Sequence, residues 1–145
     1  MEFSAFERSV IELILSQSAE GMDILRKQFT TASAVRRGYT RTSFYTVISV
    51  DRTLPPARYN EELESRLHIG AIGWTQSAPH EAITFDLWLD AGYISYLEGI
   101  TSDDHWPDER EITFEIPIRR KVVRRGHGRK RGRARPHLYT EWPSE

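Results

Sequence analysis

An α+β fold, with an N-terminal helical hairpin packed on an antiparallel sheet of five or six strands, is what this sequence predicts, and three observations carry it. Apolar residues recur at helical spacing only near the N-terminus. From Ala32 the period changes to two, and it stays there through a run of strands broken by turn residues. Helices first and strands afterwards is the pattern of segregated layers rather than of alternating βαβ units. The third observation is a division of charge. Residues 1–118 carry a net −9 and residues 119–145 a net +8, which leaves −1 for the whole chain. Residues 1–118 are therefore expected to form one domain, and 119–145 a basic C-terminal extension.

The first helix is announced by Ser4-Ala5-Phe6-Glu7, a capping box in which the serine hydroxyl and the glutamate carboxylate each satisfy a backbone N–H. Phe6, Val10, Leu13 and Ile14 follow on one face, widened by Ile11 and Leu15, so a helix is expected from about Ser4 to Ser18. Gly21 interrupts it, and Asp23 opens a shorter second helix whose Met22, Leu25 and Phe29 share a face. Next, 33–37 is short and basic, and 38–41 reads as a turn. Phe44 to Val50, β-branched and aromatic, is a strand. Leu54-Pro55-Pro56 ends it, because proline donates nothing to a ladder. Residues 57–64 read as a connector with one helical turn, Ser65 to Trp74 as a strand, and Gln76 to His80 as a loop.

The centre of the chain is FDLWLDAGYISYLEGITSDDHWP, residues 85–107. A three-residue loop at Asp90-Ala91-Gly92, with Gly92 left-handed, pairs Leu89 with Tyr93, Leu87 with Ser95 and Phe85 with Leu97 on one face. Trp88 with Ile94, Asp86 with Tyr96 and Thr84 with Glu98 then share the other. Both faces are apolar, so each needs a cover: the helices on one, and the loop carrying Trp106, or a partner, on the other. Ile112, Phe114, Ile116 and Ile118 alternate as a last strand, and Pro117 suits a sheet edge. No period of the solenoid kind recurs.

An apolar content of 39% and a charged content of 28% over 145 residues belong to an ordinary globular chain. The absence of cysteine excludes disulfides, thiol catalysis and cysteine metal sites. The N-terminus lacks the basic and apolar regions of a signal peptide, and no apolar run has the length of a membrane span. A cytoplasmic protein without membrane partners is the expectation.

The segments SAFERSVIELIL, VRRGYTRTSFYTVISV and above all GYISYLEGITSDDHWP resemble a family of small uncharacterised bacterial proteins. The resemblance spans roughly residues 4–116. It rests on Phe6-Glu7, Arg36-Arg37, Gly38, Phe44, Gly92, Leu97-Glu98-Gly99 and Trp106-Pro107. It implies no catalytic residue. In general character such chains are similar to the small acidic α+β immunity factors that accompany bacterial toxins, and by that analogy a basic partner protein is expected.

Candidate sites follow from chemistry. The loop 101–109 holds Asp103, Asp104, His105, Asp108 and Glu109 beside Trp106. Its acids suit a basic protein surface, with charge steering the encounter and exposed aromatics such as Trp74, Tyr96 or Trp106 anchoring it. A metal-dependent hydrolase built on the same oxygens is the weakest reading, because the spacing matches no calcium loop. Glu98, at the end of an apolar strand, is either a carboxylate with a perturbed pKa or a structural one bonded to backbone or to Arg36 or Arg37. No nucleophile elbow, zinc-protease motif, P-loop or dinucleotide fingerprint occurs. No cofactor and no catalytic residue are therefore expected. The extension carries Arg124, Arg125, Arg129, Lys130, Arg131, Arg133 and Arg135 with Tyr139 and Trp142, a composition that tracks phosphates and stacks on bases. Nucleic-acid binding through it is the alternative function. Its other fates are a solvated tail or a tail folded back on the acidic body.

Overall fold

A computed structural model of the chain describes residues 1–58 and 68–117. The connector strand start expected at Ser65, the end of the last strand at Ile118 and the whole basic extension lie outside the described residues.

The first helix, α1 (Ala5–Leu15), begins as its sequence demands. Ser4 Oγ accepts from the Glu7 N–H at 3.1 Å, and Glu7 Oε1 accepts from the Ser4 N–H at 2.7 Å. It stops three residues short of the expected Ser18. The Ser16 N–H bonds back to the Leu13 carbonyl at 3.1 Å and Gln17 Nε2 donates to the Ile14 carbonyl at 3.0 Å, so side chains and a tight turn use up the terminal acceptors. The second helix, α2 (Met22–Phe29), starts at Gly21, whose φ of 89° only glycine adopts cheaply. Arg26 of α2 donates to the Leu15 carbonyl and so closes the end of α1.

Six strands follow: β1 (Ser33–Tyr39), β2 (Ser43–Ser49), β3 (His68–Thr75), β4 (Ala78–Asp90), β5 (Tyr93–Thr101) and β6 (Ile112–Glu115). Their order across the sheet is β1-β2-β5-β4-β3-β6, and every neighbouring pair is antiparallel. Two expected turns belong to strands. Gly38 and Tyr39 pair with Tyr45 and Phe44, so the β1–β2 turn is 40–42, closed by the Thr40 N–H on the Ser43 carbonyl. The loop expected at 76–80 shrinks to Gln76-Ser77. Residues 79–82 bulge between the pairs Thr75–Ala78 and Gly73–Ile83, which is where a proline in a strand is tolerated.

The central hairpin also differs from its expected register. The turn has two residues, Ala91 and Gly92, with φ of 53° and 86°, and Asp90 pairs with Tyr93. Both positive values are those of a type I′ turn, whose twist matches the flanking strands. An extra residue, Ser95, then bulges from β5. Beyond it Trp88 pairs with Tyr96, Leu87 with Leu97, Asp86 with Glu98 and Phe85 with Gly99.

That register fixes the core. Phe44, Gly99, Phe85 and Ala71 stand in one row on the face that receives the helices, beside Thr46, Leu97 and Leu87. Phe6 of α1 meets Phe44 and Phe85 at ring-centroid distances of 5.8 Å and Phe114 at 6.0 Å. Val10, Ile11, Ile14, Met22 and Leu25 complete this layer. Trp106 packs here too, 5.2 Å from Phe44 and 6.3 Å from Phe85. The expectation that it covers the opposite face is thus corrected: pairing Phe85 with Gly99 opens a seat on the helix side.

Ala91 has a left-handed backbone that costs an L-residue about 1 kcal/mol. Ala91→Asn, giving the Asn-Gly pair that such turns favour, is expected to raise the urea midpoint by about that free energy with an unchanged m-value.

Candidate functional site

The loop between β5 and β6 is built on the seat at Gly99. A Cβ there would stand 2.8 Å from Trp106 Cη2 and 2.6 Å from Phe44 Cε1, so only glycine leaves room for the indole between the two phenylalanines. Around this anchor the loop is tied at several points. The Trp106 N–H donates to the Arg41 carbonyl at 2.7 Å, and Arg41 Nη1 donates to the Asp104 carbonyl at 2.6 Å. Trp106 Nε1 and the Tyr39 hydroxyl both donate to Glu109 Oε2 at 3.0 Å. Burial, the Glu109 charge and that hydrogen bond push the Tyr39 phenol up to about 12. At the other end the Ser102 N–H reaches the Ala82 carbonyl at 3.0 Å, and Ser102 Oγ donates to Glu81 at 2.8 Å.

The six expected partner-binding residues therefore separate into two groups. Trp106 and Glu109 hold the loop from inside. Asp103, Asp104 and Asp108, with His105 beside them, lie outside that clamp. Asp103 Oδ1 accepts from the Asp104 N–H at 2.8 Å, and Asp104 and His105, 80% and 70% exposed, lie 3.2 Å apart. Asp108 caps the short 3₁₀ turn Glu109–Glu111 and takes a two-pronged bond from Arg110, at 3.1 and 2.7 Å, which holds its carboxyl at about 2. The basic residues Arg124, Arg125, Arg129, Lys130, Arg131, Arg133 and Arg135 lie outside the described residues. Among the described residues no group of three or more His, Asp and Glu side chains is placed to hold a metal ion.

Three further expectations change. Trp74, Tyr96 and Trp106 are half-buried rather than exposed, and the exposed aromatic beside the loop is Tyr39, at 56%. Glu98 stands opposite Asp86, not Thr84, and accepts from Trp88 Nε1 at 2.8 Å. Arg37 is engaged elsewhere, with Glu7. That carboxylate, 3% exposed, accepts from Arg37 Nε and Nη2 at 2.7 and 2.6 Å, from Thr46 Oγ1 at 2.7 Å and from the Ser4 N–H. The capping box signalled Glu7 as a cap. Its second role, joining α1 to β1 and β2, depends on a partner thirty residues away that no local pattern reveals.

Phe6, Phe44, Gly99 and Trp106 form one contact, Glu7 and Arg37 another, and Gly92 makes the hairpin turn. No protein-family model, curated protein or solved structure matches the chain.

Burial pushes the Glu7 carboxyl up, but the bonds from Arg37, Thr46 and Ser4 outweigh it and hold it below its ordinary 4.5. A lowered folded-state pKa stabilises fully above the unfolded value and ceases to as pH falls through the folded one. Arg37→Met is expected to cost about 3 kcal/mol at pH 7, because it leaves a buried carboxylate without its cation. Urea denaturation should show that loss shrinking once the pH falls below 4.5.

Proposed function

We propose that this protein is a non-catalytic protein-binding module, of the immunity-like kind, whose acidic loop docks a basic partner protein. The observation that carries the reading is the division of labour within the loop. Asp104, His105 and Asp108 are exposed and Asp103 half-buried, on a backbone that Trp106, Arg41 and Glu109 clamp. A surface already held in one shape loses little entropy on binding, so charge and contact translate into affinity. The surrounding charge supports the same reading. Residues 68–117 hold ten acids against a single base, Arg110, so the field around this half of the sheet attracts cations over a distance. Tyr39, exposed and fixed through its hydroxyl, offers an aromatic contact beside the acids.

The second reading, nucleic-acid binding through residues 119–135, is favoured by a separate observation. Residues 119–145 carry ten Lys and Arg against Glu141 and Glu145. Phosphate contacts of this kind give an affinity that falls steeply with salt.

Both readings are tested by affinity capture from cells of the native source, followed by association kinetics with what is recovered. The triple variant Asp103→Asn, Asp104→Asn, Asp108→Asn is expected to bind the recovered protein about tenfold more slowly at low salt, and with a flatter salt dependence. Equal association by the variant contradicts the role of the loop. Recovery of nucleic acid alone, abolished by Arg124→Ser, Arg125→Ser and Arg129→Ser, favours the second reading.

A further inference from the structure

The strands at the two ends of the sheet carry opposite charge. Residues 33–42, β1 and the turn after it, hold Arg36, Arg37 and Arg41 and no acid, a net +3. Residues 108–115, leading into and through β6, hold Asp108, Glu109, Glu111 and Glu115 against Arg110, a net −3. Arg36 and Glu115 are both exposed, and neither makes a salt bridge among the described residues.

Each end strand also leaves backbone groups unpaired. At β1 the Ala34 N–H donates outward to the Met1 carbonyl at 3.1 Å, and the Thr40 N–H bonds inward to the Ser43 carbonyl. Between these points the alternation of an antiparallel ladder turns the N–H and C=O of Arg37 and Tyr39 away from β2. No backbone hydrogen bond reaches that side of residues 36–39 among the described residues. At β6 the Ile112 N–H closes the 3₁₀ turn on the Glu109 carbonyl, and the side away from β3 makes no other backbone bond among the described residues. The large hydrophobic side chains left more than half exposed, among the described residues, are Met1, Val35 and Tyr39, and all three lie along β1. An edge with free backbone and exposed apolar groups recruits a strand unless charge repels it. Charge decides which strand: β1 against β1 sets arginines together, β6 against β6 sets glutamates together, and β1 against β6 attracts.

We infer that the β1 edge is a docking surface for a second copy of this chain, whose β6 adds to it as an antiparallel strand. The six strands alternate in direction, so β6 runs opposite to β1, and a second copy standing in the same sense presents it correctly. Faces must also match. Arg37, bonded to Glu7 of α1, and Tyr39, opposite Phe44, lie on the helix side, as do Ile112 and Phe114. Arg36 and Gly38 lie on the other side, as do Thr113 and Glu115. Setting Tyr39 opposite Ile112 and Arg37 opposite Phe114 keeps both faces matched and brings Arg36 opposite Glu115. A contact four residues long is small beside the about 1,200 Å² that a stable complex buries, so the association is weak and grows with concentration. It is separate from the partner proposed for the acidic loop.

Sedimentation velocity of the full chain over a concentration series provides the test. The average sedimentation coefficient is expected to rise with concentration, and the amide signals of Arg37, Tyr39 and Thr113 to shift with it. Arg36→Glu alone and Glu115→Arg alone should each weaken association about tenfold, since each sets like charges opposite one another. Both residues are exposed, so neither change threatens the fold. An equimolar mixture of the two variants should regain wild-type association, because each edge then meets its complement on the other variant. A sedimentation coefficient independent of concentration overturns the proposal. Association untouched by either change overturns it too, and assigns the contact to another surface. Sensitivity to Arg36→Glu alone makes the contact β1 against β1, and sensitivity to Glu115→Arg alone makes it β6 against β6. Either result contradicts the pairing of unlike edges, as does a mixture that stays as weak as its components.

Discussion

Trp106 rests on Gly99, between Phe44 and Phe85, and the shape of both the core and the loop depends on that contact. The absence of one side chain in the middle of β5 leaves a hollow between two phenylalanines of the neighbouring strands. An indole fills it from a loop that would otherwise have nothing apolar to hold. Its backbone N–H and ring N–H are both bonded, to Arg41 and Glu109, so the residue joins the β1–β2 turn, β5 and the start of β6. A half-buried indole packed on two phenylalanines with its polar edges satisfied ties the loop to the folded core.

Carboxylates are used in two opposite ways around this frame. Glu7 is withdrawn from water with two bonds from Arg37, one from Thr46 and one from backbone, and serves as a polar joint between helix and sheet. Asp103, Asp104 and Asp108 lie toward the surface and shape the field, whereas Glu109 ties Trp106 to Tyr39. Asp86 and Glu98 form a third case, a buried pair on the sheet face away from the core. Net charge describes none of this, because the same residue type acts as a fastener, a field source or a buried acceptor for an indole N–H according to its burial.

The local parts of the fold are legible in the sequence. The Ser4–Glu7 capping box, the switch of period at Ala32 and the left-handed Gly92 each declare themselves within a few residues. What is not legible depends on pairings between distant residues. A turn of two residues instead of three and one extra residue at Ser95 together move every partner beyond by two, so Phe85 faces Gly99 instead of Leu97 and Glu98 faces Asp86 instead of Thr84. The side on which Trp106 packs follows from that register, and so does the nature of the loop. The candidate site was visible as a cluster of acids. Its division into Trp106 and Glu109 within, and Asp103, Asp104, His105 and Asp108 without, was not, since Tyr39 and Arg41 come from the β1–β2 hairpin, 70 and 63 residues before their partners.

The account is tested most directly by amide hydrogen exchange at Trp106, in the wild-type chain and in Gly99→Ala. With the indole seated, the Trp106 amide should exchange as slowly as the Thr101 amide at the end of β5, which donates to the Thr42 carbonyl. Gly99→Ala should speed exchange through residues 101–106 and leave β3 and β4 protected. A Trp106 amide that exchanges freely in the wild type, or that is unaffected by Gly99→Ala, would contradict the claim that this contact holds the loop.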